Sequence, residues 1–273
     1  MKSFHRRSSR PPPRPAPASP VAVEHHGGRR ADQLLVERGL APSRSAAQRL
    51  IEAGRVSWAE GEVRKASLVL PASAELTVAE GDDGRYVGRG GIKLAGALEH
   101  TGIDVHGRSC LDIGQSTGGF TDCLLQAGAE RVVGIDVGHG QLHERLRDDP
   151  RVTCIEGVNA RAIDRERLPH GHFDLIVADV SFISLTLVLP QLPPLLAAGG
   201  ELLALVKPQF EVGPSHIGKG GIVRDAALYP QVEAKLREAA AAAGLSVRDY
   251  FDSPIAGSDG NREFFIWTQH ERH

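Results

Sequence analysis

The clearest chemical potential lies in Leu-Asp-Ile-Gly-Gln-Ser-Thr-Gly-Gly-Phe-Thr-Asp, positions 111–122, a glycine-rich turn directly after a short apolar run. Glycines at 114, 118 and 119 allow a backbone to approach a ligand closely. Their spacing is neither the G-x-G-x-x-G of dinucleotide enzymes nor the G-x-x-x-x-G-K-[ST] of a P-loop. Asp136 ends the next apolar run, 22 residues after Gly114. A carboxylate there can accept both ribose hydroxyls of a nucleoside, which suits NAD and S-adenosylmethionine equally. Asp112 tilts the choice toward S-adenosyl-L-methionine, because a carboxylate at that strand end suits an ammonium and a sulfonium, not a pyrophosphate. Gly118-Gly119 opens a helix without the third glycine of the dinucleotide pattern. Gln115, Ser116 and Thr117 complete the turn, and Glu156 and Asn159, at the end of a third apolar run, can offer polar groups to an adenine edge.

A turn of this kind needs a sheet behind it. Beyond residue 91, apolar strand candidates alternate with helical stretches: Cys110 to Ile113, Val132 to Val137, Val152 to Glu156, Leu175 to Asp179, Leu202 to Val206, Leu245 to Tyr250 and Glu263 to Thr268. That alternation predicts an α/β domain with a doubly wound, mostly parallel sheet, and it puts the glycine turn where the sheet's strand order reverses. Ahead of it, residues 29–80 have a shorter period. Ala31 to Arg38 reads as a helix stopped by Gly39, and Ser43 caps a second helix that runs to Ala53. Val56 to Trp58, Leu68 to Leu70 and Glu75 to Val78 read as short strands. A glycine-rich, polar linker is expected at 81–91, and a domain at 92–270.

The net charge of -2 hides an asymmetry: residues 1–58 carry eleven Lys or Arg against four acids. A basic N-terminal part points to an anionic partner such as RNA. Five of those eleven lie in residues 1–28, read as a disordered basic tail with no apolar core of a secretory signal. The remaining candidates for RNA contact are Arg29, Arg30, Arg44, Arg49, Arg55 and, in the linker, Arg89. Cys110, Cys123 and Cys154 have no metal-ligand spacing and read as buried, reduced thiols of a cytoplasmic protein. The most apolar region, 185–206, is broken by prolines and glycines, so no membrane span is expected.

The segments LDIGQSTGGFTD, VGIDVGHGQL, EGVNAR, VADVSFISL, LVKPQFEVG, GKGGIVRD, GNREFF and RGGIKLAGAL, in that set of contexts, resemble the TlyA family from about Arg29 to Gln269. The resemblance implies an N-terminal S4 RNA-binding domain at 29–80 and, at 92–270, a Rossmann-like methyltransferase domain similar to the FtsJ-type RNA ribose methyltransferases. That domain would have a seven-stranded sheet whose last strand is antiparallel. It further implies S-adenosylmethionine-dependent methylation of ribose 2'-hydroxyls in ribosomal RNA, cytidine in particular, on ribosomal subunits. A Lys-Asp-Lys-Glu tetrad carries the chemistry in such enzymes, and the resemblance places it on Lys93, Asp179, Lys207 and Glu263. No metal is implied. Lys207 is the leading candidate for the base. Lys93 and burial favour its neutral form while Asp179 and Glu263 favour its charged one, which leaves the base open.

Three positions depart from the family pattern. Gln115 stands where a small residue is usual and could crowd or hydrogen-bond the methionine end of the cofactor. Gly88 replaces a Ser before Arg89-Gly90-Gly91, and Val56-Ser-Trp-Ala-Glu-Gly61 lacks a Val-Asn-Gly turn. The segment from Gln209 to Asp225, rich in glycine and charge, reads as a mobile flap over RNA or cofactor. Competing readings are a membrane-active haemolysin, which lacks an apolar span or large amphipathic helix, and a catalytically silent RNA-binding protein. A nicotinamide-dependent oxidoreductase lacks its glycine motif.

Overall fold

The computed structural model describes residues 28–270 except 42, 53, 79–84 and 170. All but the last residue of the expected tail, and the first four residues of the expected linker, lie outside the described residues. The N-terminal module runs β1 (Arg29–Arg30), α1 (Ala31–Glu37), α2 (Arg44–Glu52), β2 (Val56–Trp58), β3 (Gly61–Glu62), β4 (Val69–Leu70) and β5 (Thr77–Val78). Gly39, at φ +70°, turns the chain after α1. The Ser43 hydroxyl accepts the Ala46 N–H at 3.2 Å and starts α2. The helix pair closes over a core of Ala31, Leu34, Leu35, Ala47, Ile51, Val56 and Val63. β1 and β3, two residues each, had no counterpart in the sequence pattern.

The larger part continues with α3 (Arg89–Thr101), β6 (Ser109–Ile113), α4 (Gly119–Gln126), β7 (Arg131–Asp136), α5 (Glu144–Arg147) and β8 (Val152–Glu156). Then come β9 (Phe173–Ala178), β10 (Leu196–Val206), α6 (Tyr229–Ala242), β11 (Leu245–Asp252) and β12 (Phe264–His270). The sheet order is β11-β12-β10-β9-β6-β7-β8. Pairs from β10 through β8 are parallel, and β12 is antiparallel to both its neighbours. The chain leaves β6 in one direction for β7 and β8, then returns to β9 on the other side. That reversal opens a crevice at the carboxyl ends of β6 and β9. Leu111, Ile113 and Ile176 pack one face of the sheet, and Cys110, Leu94, Leu124 and Phe265 pack the other.

Two expectations are corrected. Residues 89–91 are the first turn of α3, not linker, and the chain just before them is fastened: the Val87 N–H reaches Asp122 Oδ2 at 2.8 Å. A Cβ on Gly91 would fall 2.3 Å from the Tyr86 ring, so glycine there admits a close approach that polar, glycine-rich composition disguised. Cys154 is exposed, because β8 is an edge strand of the sheet, whereas Cys110 and Cys123 are buried. Among the described residues no helix is long and apolar enough to cross a membrane.

Candidate active site

At the carboxyl ends of β6, β7 and β9 lies a cavity of about 700 Å³, within the usual range for small-molecule sites. Gly114, Ser116, Asp136, Val137, Asn159, Asp179 and Leu187 line it. Gly114 has φ +84°, and a Cβ there would sit 2.4 Å from the Asp179 carbonyl oxygen, so the floor is made by backbone approaching backbone. Asp136 ends β7 with one carboxylate oxygen accepting the Ser116 N–H at 2.8 Å and the other accepting the Gly138 N–H at 2.7 Å. These bonds fix the carboxylate at the rim and leave lone pairs for ribose hydroxyls. Among the described residues six large apolar side chains are exposed, and three of them, Val137, Phe182 and Leu187, border this one cavity. Such a surface suits the faces of a heterocycle. Asn159 accepts the Arg161 N–H at 3.0 Å through Oδ1.

Several residues of the glycine turn support the cavity from beneath. Asp112 is fully buried and its Oδ2 accepts the Thr121 hydroxyl at 2.7 Å. Strand alternation turns it under α4, opposite in sense to Ile113, so it does not line the cavity. Burial pushes its carboxyl up to about 7. The Gln115 amide also turns inward and donates to Thr121 Oγ1 at 2.9 Å. It occupies the space over Gly134, where a Cβ would lie 2.0 Å from the Gln115 side chain. Gly118 caps α4 at φ +94° against Leu142 and Leu146, and Gly119 lets α4 approach α3 at Gly91. Glu156 is engaged with the Gly140 N–H and does not border the cavity.

A second cavity of about 580 Å³ is lined by Lys93, Asp179, Lys207 and Glu263 together with Ser181, Phe182, Gln209 and Gly221. The four charged groups form two ion pairs. Lys93 Nζ, on α3, donates to Glu263 Oε2 at 2.6 Å, both side chains being buried. Lys207 Nζ, just past β10, lies 2.5 Å from Asp179 Oδ1 and donates to Ser181 Oγ at 2.8 Å. Burial pushes the Glu263 carboxyl up from its ordinary range, against the pull of Lys93. A smaller space of about 210 Å³, lined by Gly90, Thr117, Ser116, Asp179 and Lys207, shares residues with both cavities. A reactive group leaving the first cavity would meet an acceptor in the second at this point. Phe182, 91% exposed at φ +63° and packed on Phe210 with ring centroids 5.2 Å apart, borders both. Neither Ser181 nor Phe182 stood out in the sequence, since a Ser-Phe pair after a strand carries no spacing signal.

The N-terminal arginines are held in place by acids. Arg30 makes two hydrogen bonds to the buried Asp32, at 2.9 and 3.0 Å, and Arg44 reaches the same carboxylate at 3.0 Å. The Arg30 guanidinium pulls that carboxyl far below the usual range. Both arginines keep an exposed edge. Arg29 pairs with Glu37, and Arg55 lies after α2, partly buried. The side chain of Arg49 lies outside the described residues. Arg89 turns its guanidinium to the Ala256 carbonyl at 3.1 Å and to Glu62 at 3.7 Å, between the two parts of the chain.

A profile of the FtsJ-like methyltransferase family matches residues 86–270, and one of the S4 domain matches 29–73. The chain is 44% identical over 245 residues to the 16S/23S rRNA (cytidine-2'-O)-methyltransferase TlyA of Mycobacterium tuberculosis, covering 89% of this chain and 91% of that one. It is 39% identical over 235 residues to Hemolysin A of Brachyspira hyodysenteriae, covering 86% and 97%. A solved structure of a candidate hemolysin from Streptococcus thermophilus superposes with a TM-score of 0.70 at 39% identity, covering 89% of each chain.

Proposed function

Because the chain belongs to the FtsJ-like methyltransferase family and, by a likeness spanning both of its parts, to the TlyA type within it, we propose that it methylates ribose 2'-hydroxyls of ribosomal RNA, at cytidine. One observation carries this reading: a nucleoside-type cavity and a cavity holding two Lys–carboxylate pairs meet at Asp179 and Ser116. S-adenosylmethionine supplies an electrophilic methyl on a positively charged sulfur. Asp136 would hold its ribose, Asn159 its adenine edge, and Val137 and Leu187 the faces of the base. The N-termini of α3 and α4, whose caps Gly88 and Gly118 make no side-chain hydrogen bond, converge on the small joining space and favour its carboxylate.

The work left to the chain is to align an acceptor hydroxyl and remove its proton. Asp179 fixes Lys207 at the wall between the cavities, and this pair takes the proton from the 2'-oxygen. Lys93, pinned by Glu263, holds the acceptor ribose or its phosphate as a cation. Phe182 offers a face for the target base, and the S4 module grips RNA by shape and phosphate contacts through Arg30 and Arg44. Replacing Lys207 with Ala should abolish turnover while S-adenosylmethionine binding, read by calorimetry, stays within about threefold of the parent. Turnover by that variant at the parent rate would remove Lys207 from this role.

A further inference from the structure

The segment after Lys207 is not an open loop. Residues 208–210, 214–216 and 219–221 form three single turns, Ile217 and Val223 bridge in antiparallel fashion, and Ile217, Gly220 and Gly221 form a wall of the acceptor cavity. Gly220 and Gly221 have φ of +80° and +84°, with nothing near the position of a Cβ. Buried Glu211 ties the first half of the segment to Ser184 and Leu185, and something else must hold the Gly218–Val223 turn against the cavity.

Asn261 does so. It is 2% exposed and its amide is fully engaged. Oδ1 accepts the Val223 N–H at 3.0 Å, and Nδ2 donates to the Gly221 carbonyl at 2.9 Å and to Asp259 Oδ2 at 2.8 Å. Asp259 Oδ2 in turn accepts the Gln209 amide at 3.1 Å, which ties down the segment's first residues. The turn that bears Asn261 is itself anchored by two arginines. Arg64 of the N-terminal module donates to the Asp259 carbonyl at 3.2 Å, and Arg89 to that of Ala256. Two residues later comes Glu263, and a Cβ on Gly257 would lie 2.6 Å from its Oε1. One turn therefore fastens the wall of the acceptor cavity, the buried Lys93–Glu263 pair and the docked N-terminal module.

We propose that Asn261 is a positioning residue for methyl transfer: its amide latches the Gly218–Val223 flap shut as the wall against which the acceptor nucleotide is aligned. A side-chain amide suits the task, because it must accept from one backbone N–H and donate to one backbone carbonyl at the same time. A carboxylate of the same size can do only the first, and would face Asp259. The inference rests on the functional reading above for its substrate, but the latch itself can be read without RNA.

The test compares the parent protein with Asn261→Asp and with Val223→Pro, which deletes the same hydrogen bond from the flap side. Three quantities are measured: amide hydrogen exchange across 217–224, S-adenosylmethionine affinity by calorimetry, and the single-turnover rate of methyl transfer to ribosomal RNA. Both variants should speed exchange in the flap, leave cofactor affinity within about threefold, and slow transfer by about ten- to a hundredfold, as for misplaced reactants. Transfer at the parent rate despite faster exchange would overturn the proposal, as would unchanged exchange in Asn261→Asp. An equal loss of cofactor affinity would also overturn it, since the cofactor cavity does not include the flap. If the parent transfers no methyl to RNA, the functional reading fails instead, and exchange still decides whether the latch exists.

Discussion

Asp112→Asn offers the sharpest test of how the glycine turn is supported. The Asp112 side chain is inaccessible, one oxygen accepts from Thr121, and Oδ1 has no hydrogen-bond partner. Burial raises its titration from 3.8 to about 7, with Thr121 opposing and Asp179 reinforcing the shift. The folded protein therefore keeps a proton that the unfolded chain releases, so stability falls as pH rises from about 4 to about 7 and is level above that. At roughly 1.36 kcal/mol per pH unit, the full gap corresponds to about 4 kcal/mol, an upper bound that relaxation reduces. An Asn keeps the acceptor for Thr121 and cannot ionise. Urea unfolding followed through Trp267, in a Trp58→Phe background that silences the other tryptophan, reads the large domain alone. The variant should match the parent near pH 4 and exceed it at pH 8 by about 2–4 kcal/mol. A difference independent of pH, or a variant less stable at pH 8, would refute the argument that the carboxyl is buried and proton-bound.

Other consequences follow from the same geometry. Phe182→Ala should weaken productive RNA binding by about tenfold, the scale of one base stacked on an aromatic ring, with cofactor affinity unchanged; filter binding and calorimetry check the two arms. Because burial raises the Glu263 carboxyl, lowering the pH protonates it above its ordinary range and releases Lys93. A single-turnover pH profile should show an acidic limb, and Glu263→Gln should lack that limb at a reduced rate. Arg30→Gln and Arg44→Gln should each lower the salt dependence of RNA binding by about one counterion while leaving S-adenosylmethionine binding intact, which a salt titration measures.

How far the sequence reaches differs by element. The seven strands of the large sheet were legible because buried strands read as apolar runs bounded by turns, and each falls within a few residues of its expected span. β10 begins earlier, at Leu196, because its first half is interrupted by Gly199 and Gly200. The tetrad positions come from resemblance, and the structure places them around one cavity. What could not be read was side-chain direction. Asp112 and Gln115 have the composition of ligand contacts, but strand parity and the vacancy above Gly134 turn them inward. Asn261 was equally hidden, since its partners are the backbone of a segment some 40 residues earlier. The glycine-rich stretch 209–225 reads as a mobile flap only while those bonds are unseen.

The most direct test of the central claim incubates purified ribosomal subunits with S-adenosylmethionine labelled in its methyl group and the parent protein, then digests the RNA to nucleosides. Label should appear in 2'-O-methylcytidine at a defined site and be abolished by Lys207→Ala. Label on a base, or in no RNA at all, would contradict that claim.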